Sequence, residues 1–458
     1  MGVRRGLVAL VAGVGVALGA TMIYSPAGQA AVACSSTVWA EGVSYTAGQQ
    51  VTYQAKLYQA LVTHTAWAGT GWNPAATPTL WKDLGACSGT TSPSPSTPAS
   101  PSSSPSKSPS ASPSTSPSKS PSASPSVSPS KSPSASPSTS QPSCAIKGRP
   151  AGKVLQGYWE NWDGASNGVH PGMGWIPIND SRITQHGYNV LMAAFPVIRS
   201  DGTVLWENGM DAGVKVPTPA EICAAKAQGA TVLMSIGGAA AGIDLSSSAV
   251  ADRFVATIVP ILKAGNFDGI DIDIETGLSG SGNIGTLSTS QANLIRIIDG
   301  VLAAMPSNFG LTMAPETAYV TGGSVTYGSI WGSYLPIIKK YLDNGRLWWL
   351  NMQYYNGSMY GCSGDSYAAG TVQGFTVQTQ CLNNGLTIQG TTIRIPYDKQ
   401  VPGLPAQPGA GGGYMTPSLV TQAWNSVPGI KGLMTWSINW DGSKSWTFGD
   451  TVKALQGR

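Results

Sequence analysis

Residues 89–143 constrain this chain more than any other segment. They are Ser, Pro, Thr, Ala and Lys with almost nothing else, and from Ser104 a twelve-residue unit repeats, placing Lys107, Lys119 and Lys131 in register. Such a segment has almost no apolar surface to bury, so it cannot offset the entropy of ordering its backbone. Closely spaced prolines favour extended, polyproline-like conformations at about 3.1 Å per residue, giving a reach on the order of 150 Å. The Ser and Thr density also admits O-glycosylation. The segment is a tether, and a tether implies two modules with separate tasks.

The amino terminus reads as an export signal over residues 1–33. Arg4 and Arg5 precede an apolar run over 7–24, followed by small residues through Ala33. Cleavage after Ala30, Ala31 or Ala33 fits equally. An uncleaved membrane anchor is the competing reading, but glycines and alanines dilute the run. Lipid attachment at Cys34 is disfavoured because the preceding Ala31-Val32-Ala33 lies well beyond the apolar run. A secreted, extracellular protein is expected, and six cysteines in an exported chain favour disulfides over metal ligation. Six allow fifteen connectivities, and domain placement favours Cys34 with Cys87, Cys144 with Cys223, and Cys362 with Cys381. His64, His170 and His186 are scattered and no CxxC pair occurs. No metal and no cofactor is expected. The formal net charge of +4 includes Arg4 and Arg5, and no basic stripe points to nucleic acid. A monomer with no membrane partner is expected after cleavage.

Residues 34–87 form the first module. They hold Trp39, Tyr45, Tyr53, Tyr58, Trp67, Trp72 and Trp81, a high aromatic load for so short a segment. Residues 51–60 read as two short strands around a turn at 54–56. Some of these rings must form the core, and exposed ones can stack on the apolar face of sugars.

Residues 144–458 form the second module, in which apolar strand patterns alternate with helical ones. Strands are expected at 154–159, 190–195, 231–236, 269–275, 310–314, 348–355, 400–405 and 432–437, with helices such as 249–262 and 290–305 between them. Eight units over about 300 residues fit an α/β fold of the (β/α)8 TIM barrel type better than an open sheet. The small module is expected to be all-β. Glu160, Asn161, Glu275, Glu316, Asn356 and Asp441 fall at strand ends on the catalytic rim of such a barrel. Gly411-Gly-Gly413 reads as a flexible rim loop.

Within the fourth strand, Asp268-Gly-Ile-Asp-Ile-Asp-Ile-Glu275 carries the chemistry. Strand side chains alternate faces, so Asp271, Asp273 and Glu275 form one row, about 7 Å apart, and Ile270, Ile272 and Ile274 the other. Charged residues make up only 10% of the chain. Three acids in one strand are therefore poorly explained as a solvated face. A calcium loop would need polar turn-forming spacers where the isoleucines stand.

The Asp268-x-x-Asp271-x-Asp273-x-Glu275 stretch resembles the fourth-strand signature of family-18 glycoside hydrolases, the chitinases. Ser235-Ile-Gly-Gly238, Met313-Ala-Pro-Glu316, Met352-Gln-Tyr-Tyr-Asn356 and Gly432-Leu-Met-Thr-Trp436-Ser-Ile-Asn-Trp440-Asp resemble further motifs of that family, in order. The resemblance covers essentially all of 150–458 and points to the secreted bacterial members. The first module resembles a small chitin-binding module at Tyr45, Gly48, Val51, Tyr53, Tyr58-Gln-Ala60 and Leu80-Trp81. Relatives often carry paired tryptophans after the Tyr-x-Ala strand. Here that place reads His64-Thr-Ala-Trp67, so ligand stacking is assigned to Trp67 and Trp72.

The resemblance implies hydrolysis of β-1,4 links in chitin and N-acetylglucosamine oligomers, with retention and by substrate assistance. The substrate's own acetamido oxygen then attacks the anomeric carbon. Glu275 would be general acid and then base. Asp273 would orient the acetamido N–H, and Asp271 would share a proton with it or hold local geometry. Gln353 and Tyr355 would contact the acetamido group, although another alignment of the motif selects Tyr354. Trp436 would floor the reacting sugar, with Tyr158 and Trp159 lining the cleft or packing in the barrel. Ser235, Gly237 and Gly238 would keep space beneath the acids. Two rivals remain: an endo-β-N-acetylglucosaminidase on N-glycans, and a non-catalytic chitin-binding barrel.

Overall fold

The computed structural model describes residues 37–40, 43–46, 48–61, 64–66, 73–75, 81–87, 143–162, 175–239 and 242–458. Residues 1–33, expected to direct export, Cys34, Trp67, Trp72 and nearly all of the Ser/Pro tract expected to be a tether lie outside the described residues. The chain divides within that tract into two compact units, Met1–Ser130 and Lys131–Arg458.

In the first unit, Gln50–Tyr53, Lys56–Ala60 and Trp81–Ala86 form an antiparallel three-stranded sheet. Val43–Tyr45 pairs antiparallel with His64–Ala66. Gln54 and Ala55 both adopt positive φ, 46° and 57°, as a tight two-residue hairpin turn demands. Tyr45, Val51, Tyr58, Ala60, Ala66 and Trp81 make the core. Trp39 and Tyr53 meet edge to face at 5.1 Å and stay partly exposed, so the aromatic set divides between core and surface.

The second unit contains eight parallel strands: β1 Val154–Glu160, β2 Val190–Ala194, β3 Thr231–Gly237, β4 Gly269–Asp273, β5 Gly310–Met313, β6 Leu347–Leu350, β7 Gly403–Pro405 and β8 Gly432–Trp436. They pair in the order β6-β5-β4-β3-β2-β1-β8-β7. The ends join where Val401 N–H donates to Leu350 O (2.9 Å), Gly403 N–H to Met352 O (2.8 Å) and Tyr354 N–H to Gly403 O (3.0 Å). The sheet is thereby closed into a barrel. Each strand is followed by a helix: α1 Ser181–Gln185, α2 Pro219–Ala227, α3 Ser248–Ala264, α4 Thr289–Ala304, α5 Leu335–Asp343, α6 Val372–Asn384, α7 Pro417–Ser426 and α8 Thr447–Leu455. Their starts are written locally: Thr218, Ser247, Ser288, Thr371 and Thr416 each accept the third backbone N–H of the helix they precede.

Two strand expectations run too long. The acid strand ends at Asp273 rather than 275, and β6 ends at Leu350 rather than 355. Past those points the barrel flares, and single bridges replace the ladder, as at Gln353 with Glu316 and with Gly403.

Alternation places the isoleucines of β4 outward, in one buried cluster with Phe254 and Ile258 of α3 and Leu294 and Ile297 of α4. Asp271 and Asp273 therefore face the lumen. Asp268, at the start of β4, is fully buried and serves the barrel floor. It pairs with Lys226 of α2 (2.6 Å) and accepts from the Lys147 and Val232 N–H groups at 2.7 and 2.9 Å. Disulfides Cys144–Cys223 and Cys362–Cys381 form as expected.

Candidate active site

Asp271 sits deepest in the row, with all its acceptor capacity engaged. Tyr158 Oη and Ser235 Oγ donate to Oδ2, each at 2.7 Å. Thr312 Oγ1 (2.6 Å) and Asn351 Nδ2 (3.1 Å) donate to Oδ1. These four donors come from β1, β3, β5 and the end of β6, so only the closed barrel assembles them. Burial pushes the Asp271 carboxyl up, and the four hydrogen bonds, led by Thr312, oppose that push. Neutral donors on every side favour its ionised form against that push.

One turn of the pleat higher, Asp273 is buried and Glu275 half-buried. Gln353 Nε2 donates to Asp273 Oδ1 and Glu275 Oε1, both at 3.0 Å, and to Ala314 O at 3.1 Å. Burial, then the charges of Glu275 and Asp271, push Asp273 well above the carboxylate range. Glu275 is raised to about 7, first by burial and then by the charge of Glu316, while hydrogen bonds from Gln353 and Asp273 oppose the shift. The pair therefore carries a proton near neutral pH, the state a general acid needs.

These groups open into a cavity of about 160 Å3 lined by Phe195, Gly238, Ala239, Asp273, Glu275, Gln353, Tyr355, Asn356, Ala410 and Trp436. Among these lining residues, Asp273 and Glu275 are the only acids. Trp436, Phe195 and Trp162 lie nearly parallel, with interplanar angles of 13°, 15° and 28° and centroids about 6 Å apart. They make a stacked aromatic cluster, of which Trp436 and Phe195 line the cavity and offer an apolar surface of the kind sugar rings stack on. Asn356 accepts from Gly412 N–H (2.8 Å) and donates its own N–H to Gly412 O (2.9 Å), so the glycine run expected to be loose is fastened to the rim.

Alternation beyond β6 separates the two tyrosines. Tyr355 lines the cavity, and burial beside Asp273 and Glu275 pushes its phenol well up, keeping it protonated as a donor. Tyr354 faces away, accepting from Thr379 Oγ1 (3.1 Å) and meeting Phe375 at 5.3 Å. Other positions correct the sequence reading. Tyr158 lies beneath the floor, covered by Trp436 and bonded to Asp271, rather than lining the cleft. Trp159 alternates outward and donates to Ile176 O (3.0 Å), in the segment before α1. Asp441 is no rim acid: it accepts Tyr188 Oη and the Phe448 and Gly449 N–H groups, capping α8. Gln353 does line the cavity, but its amide nitrogen is committed to the acids. Gly237 and Gly238 act as spacers. A Cβ at Gly237 would meet Asp273 O at 2.1 Å, and one at Gly238 the Phe195 ring at 2.7 Å.

Phe195, Trp162, Thr312 and Asn351 belong to the site without having been singled out from sequence. Each carried a faint signal: aromatics directly after strand runs, and lone polar residues inside apolar ones.

Residues 154–358 match the family model of glycosyl hydrolases family 18. The chain is also 82% identical over 312 residues to Endochitinase 37 of Trichoderma harzianum, spanning 68% of this chain and 93% of that one. The chain belongs to glycosyl hydrolases family 18. Across a longer span, this family-18 chain is 32% identical over 481 residues to Chitinase Chi52 of Paenibacillus xylanexedens, covering 88% of each. The crystal structure of a family-18 chitinase from Chromobacterium violaceum superposes with a TM-score of 0.57 at 28% identity, covering 93% of this chain and all of that one. Residues 38–82 match carbohydrate-binding module family 5/12. In this family-18 barrel the matched segment carries β1 to β6 and hence both acids.

Proposed function

We propose that this family-18 enzyme is an exported endo-acting chitinase, built as a binding module over 34–87, a tether over 88–143 and a catalytic barrel over 144–458. One observation carries the mechanism: two adjacent acids share one wall of a cavity floored by tryptophan, and among the described residues that line it no acid stands across from them. Both carboxyls approach a bound sugar from the same side, so neither can attack the anomeric carbon from the far face. The substrate's acetamido oxygen supplies that attack. Glu275 gives its proton to the leaving oxygen and later takes one from water. Asp273 receives the acetamido N–H and balances the positive charge that develops, above Asp271. Tyr355 donates to the acetamido group, and Trp436 with Phe195 supports the ring.

Endo action fits the short connection after β7. Only the one-turn helix Pro408–Ala410 intervenes before α7, so no inserted wall closes the groove there. Tethering to the binding module keeps the barrel near an insoluble polymer by raising its effective concentration. The family 5/12 match favours chitin over N-glycans. The retained acid at Glu275 argues against a binding-only barrel.

Proton NMR of the first product released from a soluble N-acetylglucosamine oligomer tests the reading. The β-anomer is expected. Release of the α-anomer, or no cleavage, would overturn it.

A further inference from the structure

We propose that Tyr334, with Tyr319 beside it, is a positioning residue for Glu275: the two phenols take the place of a neighbouring strand and hold the main chain that aims the acid. The assignment rests on the chitinase reading above and adds two residues that lie outside the cavity lining.

The need arises from where β4 ends. Asp273 is still in the ladder, its O accepting Gly238 N–H at 2.7 Å, and Ile272 O accepts Ala314 N–H at 2.9 Å. Beyond Asp273 the barrel flares, and among the described residues no strand bonds the main chain of Ile274 or Glu275. A buried backbone group without a partner is unfavourable, so these groups must be met another way. Tyr334 Oη meets two of them, accepting Ile274 N–H at 3.0 Å and donating to Ile274 O at 2.8 Å. Tyr319 Oη donates to Glu275 O at 2.5 Å.

Both phenols are themselves held. Tyr334, fully buried at the start of α5, donates its N–H to Tyr319 O (3.0 Å), and the two rings meet edge to face at 6.0 Å. Gly332 N–H donates to Ala318 O (3.0 Å), and Gln291 of α4 donates to Ser333 O (2.7 Å), so the clamp is pinned to the helical layer. Burial pushes both phenols up and keeps them protonated as donors. Glu275 is therefore fixed at two ends, by Gln353 at its carboxyl, 3.0 Å from Oε1, and by the tyrosines at its main chain. Asp273 needs no such clamp, because the ladder holds it. Loosening the clamp thus displaces the proton donor but not the group that receives the acetamido N–H. Proton transfer needs heavy atoms about 2.6–3.2 Å apart, and a misplacement of about 1 Å can lower the rate about a hundredfold.

Two substrates, compared through kcat/KM with the full chain, test this. One is an N-acetylglucosamine tetramer, whose leaving sugar must take a proton. The other is a dinitrophenyl glycoside of the dimer, whose leaving group departs as an anion. In Tyr334→Phe, which keeps the ring, kcat/KM on the tetramer should fall roughly ten- to hundredfold through kcat, with KM within about twofold. On the dinitrophenyl glycoside it should stay within about twofold. Equal losses on both substrates, or none on the tetramer in a folded Tyr334→Phe protein, would overturn the proposal and leave the chitinase reading intact. Tyr319→Phe gives up one bond rather than two and decides the matter if Tyr334→Phe fails to fold. A loss of at least about threefold confined to the tetramer is then expected, and any other pattern overturns the clamp. A parent chain that cleaves neither substrate would overturn the chitinase reading, and the clamp's role with it.

Discussion

Gln353 Nε2 lies 3.0 Å from both Asp273 Oδ1 and Glu275 Oε1, so a single amide fixes the spacing of the two acids. It also favours their ionised forms. Gln353→Leu should therefore raise the Glu275 pKa and move the alkaline limb of kcat/KM upward. Loss of a hydrogen bond to a charged group, about 1.5–3 kcal/mol, should lower kcat roughly ten- to hundredfold. Steady-state kinetics from pH 4 to 9 would show both effects.

Glu275→Gln removes the proposed proton donor but keeps the shape of the cavity. Positioned acid–base groups contribute about 10²–10⁴-fold, so kcat should fall by at least that much. Chitin pull-down should be unchanged, because the binding module is untouched. In the parent, Glu275 must be protonated in the free enzyme. With its pKa near 7, kcat/KM should decline as pH rises through neutrality.

The neighbouring tyrosines should part company. Tyr355→Phe removes a donor from the cavity and should cost roughly tenfold or more in kcat/KM. Tyr354→Phe removes a hydroxyl that meets Thr379 outside the cavity. It should leave kcat/KM within about twofold and cost about 1 kcal/mol of stability in denaturant unfolding. Equal losses of activity would contradict the outward placement of Tyr354.

Asp268 shares the acid motif but should govern stability. Asp268→Ala would strand the buried Lys226 ammonium without its counter-charge. Breaking a buried pair in this way costs about 3–5 kcal/mol. Urea unfolding should show that loss, while the fraction that stays folded should keep a normal kcat.

Deleting residues 34–143 should lower turnover on solid chitin far more than on soluble oligomers, since only the solid substrate needs tethering. Equal losses on both substrates would remove the targeting role.

Much of this molecule is set by local sequence. Alternation of polar and apolar residues in β4, helix-capping Ser and Thr, and a Ser/Pro tract with no core to build are short-range properties. They determine strand faces, helix starts and the division into modules in any tertiary context. The acid row, the barrel and the family likeness were legible for that reason. What only the tertiary structure decided are the relations across the barrel. Asp271 is held by donors from four separate strand positions, and Phe195 and Trp162 join Trp436 in one stacked cluster. Gln353 serves the acids, Tyr355 rather than Tyr354 faces them, and Asp268 and Asp441 leave the site for structural duty. The reason is geometric. Strand patterns give a residue its face and depth but not its neighbours, which depend on how eight strands are staggered when the sheet closes. Charge at Glu275 follows the same division: its identity is local, but the burial that raises its carboxyl exists only once the barrel has formed.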